Sequence, residues 1–218
     1  MLEHNGIEID WLGHDGFRIA HGGKTIYFDP YKLSKTQYNR RDADIVLISH
    51  NHYDHMSPDD LAHVVNGKTQ LVVAKECVGK LDRVGAADVR GVSPGDRLSV
   101  QGIPIETVAA YNTNKTFHPH ADRKVGFVIT LNNQRIYHTG DTDIIPEMSS
   151  VDPDVALVPV SGTYVMTADE AARAVNERIK PKQLAIPMHY GTIIGSEQDA
   201  RRFSEGVKVC PVSILTPE

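Results

Sequence analysis

Cysteine is scarce in this chain. Two thiols, Cys77 and Cys210, lie far apart among 218 residues. The start, MLEHNGIEIDWLGHDG, has neither a basic n-region nor a long apolar run, so no export signal and no membrane anchor are expected there. The two thiols are therefore expected to be reduced and buried in a cytoplasmic protein, not joined in a disulfide. Positive charge is not in excess either. The formal net charge is −5, which favours neither nucleic acid nor an anionic membrane as a partner. No Ser/Gly/Pro-rich linker, repeat or low-complexity segment interrupts the sequence, so residues 1–218 are expected to form one domain. That length is enough to bury a sizeable core, and 40% hydrophobic with 23% charged residues is a soluble globular composition.

What is present is a series of short β runs, hairpins and a few capped helices. GIEIDWLGH alternates as a strand does, and GFRIAHGGKTIYFDP places Gly22-Gly23 between two apolar runs, a hairpin signal. DIVLISH is a continuous apolar run of the kind that forms a buried strand. SPDDLAHVV then opens a helix, with Ser57 as cap, Pro58 in the first turn and Asp59 and Asp60 at the positive end. QLVVAK reads as a strand and ECVGKLDRVG as a short helix. Two further hairpins are expected in GDRLSVQGIPIETVAA and KVGFVITLNNQRIYHTGD. DVALVPVSG is a strand, and TADEAARAVNERIK a helix with Thr167 and Glu170 at capping-box spacing, stopped at Pro181. QLAIPMHY is a strand, SEQDARRFSEG a helix and VSIL a last strand. Each half thus runs from hairpins into strand–helix units, which points to two similar β-plus-α layers packed sheet to sheet.

Histidine is the unusual count, at 11. Three of these fall in VLISHNHYDHMSPDDL, with an aspartate among them, directly after an apolar run. Residues two apart in an extended segment point the same way, so His50 and His52 can aim two imidazoles at one place. Asp54 and His55 follow where the chain turns toward the helix. Imidazole with carboxylate suits zinc, manganese or iron and not calcium. The remaining histidines read as bland. His4 and His21 sit in tail and turn, His63 lies in the helix after the cluster, and His138 sits at odd spacing from Asp141, on the opposite face of a regular strand.

The segment His50-x-His52-x-Asp54-His55 after a buried strand resembles the signature of the metallo-β-lactamase superfamily. TIYFDP with Asp29, IYHTGDTD with Asp141 and AIPMHYGT with His189 fall in the order that family shows. WLGHDGF with His14 is similar to the branch that holds ascorbate-6-phosphate lactonase and related metal-dependent hydrolases. The resemblance spans residues 7 to about 192. It implies an α+β fold, a four-layer αββα sandwich, with a binuclear site at the strand ends. On that pattern His50 and His52 hold the first metal, and Asp54, His55 and His189 hold the second. Asp141 bridges the two, and Asp54 and Asp141 carry the catalysis. Asp29 and His14 stand behind the ligands, where a carboxylate can orient a ligand histidine. Two divalent cations, zinc or manganese, roughly 3.5–4 Å apart would lower the pKa of bound water, so that a metal-bound hydroxide attacks.

One position departs from that pattern. The superfamily usually supplies a third histidine to the first metal, and here the place falls in VAAYNTNKTFHPH, where counting from the strand gives Asn112. An amide oxygen is a poor zinc ligand but acceptable to manganese. His118 or His120, both carried by the same long loop, or a water held by Asn112 is the alternative, and any of these implies one tight and one labile metal or a preference for a harder ion. Asn114 and Lys115 are expected to bind an anionic group of the substrate, and Tyr190 to line the pocket, with Thr163 and Tyr164 as a wall. The expectation is a cytoplasmic hydrolase that cleaves a lactone or phosphodiester of a small molecule, with no nucleic-acid or membrane partner. A metal-binding or ligand-sensing module and a nuclease of the same fold are the alternatives. The acidic balance and the lack of a basic module weigh against the nuclease.

Overall fold

The computed structural model describes residues 1–217. Thirteen strands form two mixed sheets. The first sheet holds β1 (Leu2–His4), β2 (Ile7–Gly13), β3 (Gly16–His21), β4 (Lys24–Phe28), β5 (Ile45–Ile48), β6 (Gln70–Ala74) and β7 (Asp88–Val92), in that spatial order. The second holds β8 (Arg97–Val100), β9 (Ile103–Ala109), β10 (Val125–Leu131), β11 (Gln134–His138), β12 (Val155–Pro159) and β13 (Leu184–Met188), also in sequence order. Each sheet begins as an antiparallel meander and ends in parallel pairs: β4 to β7 in the first, β11 to β13 in the second. The two halves thus repeat one plan.

The meanders close through two-residue turns in which both residues have positive φ, the mirror-image turn that matches strand twist. Asn5-Gly6 joins β1 to β2, Gly22-Gly23 joins β3 to β4, Gln101-Gly102 joins β8 to β9, and Asn132-Asn133 joins β10 to β11. Parallel pairs need a crossover instead. Helix α1 (Pro58–Val64) and a 3₁₀ turn, Lys75–Lys80, serve the first sheet. Helices α2 (Ala168–Ala174) and α3 (Glu197–Gly206) pack on each other and reach β12 and β13. Ser57 accepts from the Asp60 N–H at 3.3 Å, and Thr167 and Glu170 form a reciprocal capping box. Past Ala174 the helix loosens into a π turn to Ile179, then ends at a left-handed Lys180 before Pro181.

The core lies between the sheets. Phe28 of β4 stacks on His138 of β11 with ring centroids 5.1 Å apart, and Phe17, Phe127 and Ile129 are fully buried around them. His138 is itself a buried polar spacer. Its Nε2–H donates to the Asp15 carbonyl at 2.9 Å, while Nδ1 accepts from the Gly140 N–H at 3.2 Å. These bonds tie the loop after β2 to the turn after β11 across the sandwich.

Three expectations about elements are corrected. VSIL is not a strand: only Val212 bridges to Ala185, because Pro187 of β13 has no N–H to carry the ladder on toward Ile214. Two strands carry too few apolar residues to stand out in sequence, β1 and β7. The half-exposed β7 is held by its parallel pairing to β6. The short helix expected in ECVGKLDRVG is of the 3₁₀ type and spans Lys75–Lys80, ending short of Gly85, with Cys77 buried in the core.

Candidate metal centre

Strands β2, β4, β5, β9, β11 and β13 all end at one edge of the sandwich, and the residue types singled out above follow directly after them. His14 and Asp15 follow β2, Asp29 follows β4, and Ser49 and His50 follow β5. The loop to His118 follows β9, Asp141 lies just beyond β11, and His189 follows β13. The chain must turn sharply there. His14, Asp29, His118 and His189 all take the left-handed backbone, with φ of 51°, 37°, 56° and 60°. That conformation costs an L-residue other than glycine about 1–2 kcal/mol.

The side chains converge. His52 Nδ1 lies 3.0 Å from His50 Nε2 and 3.1 Å from His118 Nε2. Asp141 reaches His189 Nε2 at 3.3 Å, His55 Nε2 and His118 Nε2 at 3.5 Å, and His50 Nε2 at 3.9 Å. Asp54 Oδ2 is 3.8 Å from His55 Nε2 and accepts from His14 Nε2 at 3.0 Å. Among the described residues, two groups of donors of metal-holding size stand out: His50 with His52 and His118, and Asp141 with His55, His189 and Asp15. Asp54, His55, His189 and His14 make an overlapping third.

The hydrogen bonds behind these rings decide which nitrogen faces inward. His55 Nδ1–H donates to Asp29 Oδ2 at 2.9 Å, and His50 Nδ1–H to the Ser49 hydroxyl at 2.9 Å. Ser49 in turn donates to Asp29. His189 Nδ1–H donates to the Ser161 hydroxyl at 2.8 Å, and His118 Nδ1–H to the Tyr164 carbonyl at 3.3 Å. Each of the four rings therefore presents an Nε2 lone pair to the centre, the tautomer a metal ligand requires. His55 Nε2 and one oxygen of Asp141 are buried with no hydrogen-bond partner. A divalent cation satisfies such atoms, and the donor set fits zinc or manganese on this geometry.

Electrostatics agree. Burial holds His50, His52 and His118 below the usual imidazole range, so they are neutral and ready to ligate at pH 7. Burial opposes charge on His55, but Asp141 and Asp29 outweigh it and push its pKa well up. Burial would raise Asp54, yet the hydrogen bond from His14 and the charge of His55 prevail and hold it at about 2. His14 is itself lowered to about 4, chiefly by burial. Burial opposes charge on Asp141 too, but His189 and His55 overcome it and hold the carboxyl well below its usual range.

Asn112 keeps its Oδ1, the atom expected to ligate, buried and without a hydrogen-bond partner. Its amide N–H₂ donates to the carbonyls of Phe117 at 2.9 Å and Tyr164 at 2.7 Å, which braces the loop and brings His118 to the place expected of a third histidine. Three expectations about individual residues are corrected. Lys115 is not free for a substrate anion, because its ammonium is paired with the buried Asp143. Asn114 is exposed and accepts from Lys115 at 3.1 Å; neither residue lines the cavity above the histidines. Tyr190 turns away from that cavity and packs on Trp11, with ring centroids 4.6 Å apart.

Sequence reasoning passed over several neighbours. Asp15 buries both carboxylate oxygens without a hydrogen bond, 3.7 Å from His55 Nδ1, and burial together with Asp141 pushes its pKa well up. Its adjacency to His14 was the only signal. Ser49 and Ser161 carry no signature beyond standing near ligand histidines in the fold. The cavity above the donors holds about 370 Å³, and Asn51, Tyr53, Phe117, Tyr164 and Ile193 complete its wall.

Comparison with known proteins adds to this geometry. The model of the Beta-lactamase superfamily domain matches residues 8–189. A metal-dependent hydrolase of Methanopyrus kandleri is 31% identical, over 93% of this chain and 92% of that protein. One of Pelotomaculum thermopropionicum is 32% identical, over 97% of each. The crystal structure of a metal-dependent hydrolase from Parabacteroides distasonis superimposes with a TM-score of 0.77 at 30% identity, covering 95% of this chain and 92% of that one. No helix among the described residues is long and apolar enough to cross a membrane.

Proposed function

This chain belongs to the metallo-β-lactamase superfamily, among its metal-dependent hydrolases, and from that premise we propose that it cleaves an ester-like bond, a lactone or other carboxylic ester ahead of a phosphodiester, in a small molecule. The observation that supports this reading is the set of four Nε2 lone pairs gathered around Asp141, at the base of one open cavity that Asp141, His118 and His189 line. In this proposal His50, His52 and His118 would hold one cation and Asp54, His55 and His189 a second, with Asp141 within reach of both groups. Bound divalent cations supply a Lewis acid for the acyl oxygen and bring the pKa of a water down toward neutrality.

The chain's own groups do the rest. Asp54, ionised above about pH 2 and partly open to the cavity, accepts a hydrogen bond from the attacking water and orients it. His14 holds that carboxylate in place. Asp29 and Ser49 fix the rings of His55 and His50, and Ser161 fixes His189. The water oxygen bonds to the acyl carbon, the acyl C–O bond breaks, and one water proton ends on the leaving alkoxide. No serine or cysteine nucleophile is required, and Cys77 is buried in the core.

The test combines elemental analysis with turnover on a panel of carboxylic esters, lactones and phosphodiesters, with zinc or manganese supplied. Ester or lactone hydrolysis is expected, lost in Asp54→Ala and His189→Ala while circular dichroism is unchanged. A metal-loaded, folded protein that hydrolyses phosphodiesters alone, or nothing on the panel, overturns the proposal.

A further inference from the structure

The wall of the cavity has a character of its own. Seven large apolar or aromatic side chains are markedly exposed among the described residues, and three of them, Tyr53, Phe117 and Ile193, line this one cavity. Tyr53 is 66% exposed and Phe117 49%. They are not scattered surface residues. Tyr53 meets Tyr31 edge to face at 5.9 Å on one side, and Phe117 meets Tyr164 edge to face at 4.9 Å on the other. Apolar groups gathered around a polar floor mark a ligand site.

Charge sharpens the point. No lysine or arginine lines the cavity among the described residues; its charged groups are the carboxylates Asp54 and Asp141. Two of the cations nearby are engaged elsewhere: Lys115 is paired with Asp143 and Lys124 donates to Glu76 at 3.1 Å. Lys32 lies outside the lining, over the outer Tyr31 ring, 5.5 Å from its centroid. A phosphate or carboxylate carried at the far end of a substrate would find no cationic partner in the lining and would lose hydration on entering. An aryl or alkyl group of similar size would exchange water for aromatic surface.

Resting on the hydrolase reading above, we infer that the substrate is an uncharged carboxylic ester or lactone whose apolar aryl or alkyl part seats between Tyr53, Phe117, Tyr164 and Ile193. Only the group being cleaved meets the polar floor. A substrate with a distal phosphate does not fit this wall.

The experiment uses the metal-loaded full chain and two matched sets of probes. In the first set the ester is constant and the distal group is phenyl, para-carboxyphenyl or methyl. The phenyl ester is expected to exceed the para-carboxyphenyl ester in kcat/KM by about tenfold or more, a ratio that reflects loss of an apolar contact and gain of an unpaired charge. Phe117→Ala and Ile193→Ser are expected to raise KM for the phenyl ester about tenfold while changing the methyl ester little. Phe117→Arg is expected to reverse the preference. In the second set, slowly reacting amides with the same distal groups are titrated at equilibrium, a measurement that needs no turnover. Preferential binding of the neutral amide without hydrolysis of any ester upholds the subsite and sinks the hydrolase reading. Ester hydrolysis that favours the para-carboxylate, or KM values indifferent to Phe117→Ala and Ile193→Ser, overturns the subsite and leaves the hydrolase reading standing.

Discussion

Asn112 and His118 divide one task between them. The amide of Asn112 donates to the Phe117 and Tyr164 carbonyls, and the loop so braced sets His118 Nε2 3.1 Å from His52 Nδ1. Asn112→Ala removes the side-chain donor of the Phe117 carbonyl, leaves the Tyr164 carbonyl to His118 alone and frees the loop, at a cost of about 1–2 kcal/mol. Calorimetric titration with zinc is expected to show one equivalent weakened about tenfold. His118→Ala is expected to lose that equivalent outright. Equal, undiminished binding of both equivalents in His118→Ala would remove this histidine from the centre.

The donors come from the ends of both sheets, so a bound cation fastens one sheet to the other. Chelation should therefore lower the melting temperature, and free metal at about a hundred times its Kd should restore about 2.7 kcal/mol. Differential scanning fluorimetry against metal concentration checks this. A melting temperature indifferent to chelator and metal alike contradicts it.

Acid acts on the metal-free protein through His14 and Asp54. The folded state holds His14 at about 4, below the 6.5 of an unfolded histidine, so the unfolded chain binds the proton first. Its contribution is present above pH 6.5 and is lost as pH falls toward 4, about 3 kcal/mol at most. Asp54, held at about 2 against an unfolded 3.8, acts in the same direction over the next window down. Denaturation midpoints of the chelated protein from pH 7 to 4 are expected to fall, and His14→Gln is expected to flatten the upper part of that fall.

Lys115 is a structural cation. Asp143 is 4% exposed and also accepts from the Thr113 N–H at 2.8 Å, so Lys115→Ala strips a buried carboxylate of its charge partner. A loss of about 2 kcal/mol in unfolding free energy is expected, since the lysine is itself partly exposed. Kinetic constants on a neutral ester are expected to stay within about twofold. A steep rise in KM limited to anionic substrates would return Lys115 to the binding site.

Burial, with Glu76 beside it, lifts the Cys77 thiol to about 12, and burial lifts Cys210 to about 11. Little thiolate exists at pH 8. Labelling with a thiol-specific disulfide reagent is expected to be slow at Cys210 and negligible at Cys77 until denaturant is added. Rapid labelling of Cys77 in the native protein contradicts the packing described.

Much of this centre was legible because its chemistry is written in contiguous residues. His50, His52, Asp54 and His55 share one turn, and Asp29, Asp141 and His189 each close an apolar run, so residue type and position agree. Hairpins announced by Gly22-Gly23 and Asn132-Asn133 were equally plain. What stayed hidden depends on the third dimension. The third histidine lies six residues past the position that counting selects, because the length of the loop decides which side chain reaches the floor. Lys115 reads as a free cation until Asp143 is brought beside it by the loop after β11. Tyr190 neighbours a ligand in sequence yet faces Trp11, since the left-handed turn at His189 sends consecutive side chains to different places.

That turn recurs at His14, Asp29 and His118. Folding alone would choose glycine or asparagine at all four corners. A heat-survival screen run on chelated protein should therefore drift toward glycine there, yielding hardier scaffolds with a blank floor. Durability and reactivity pull on the same four bonds from opposite ends.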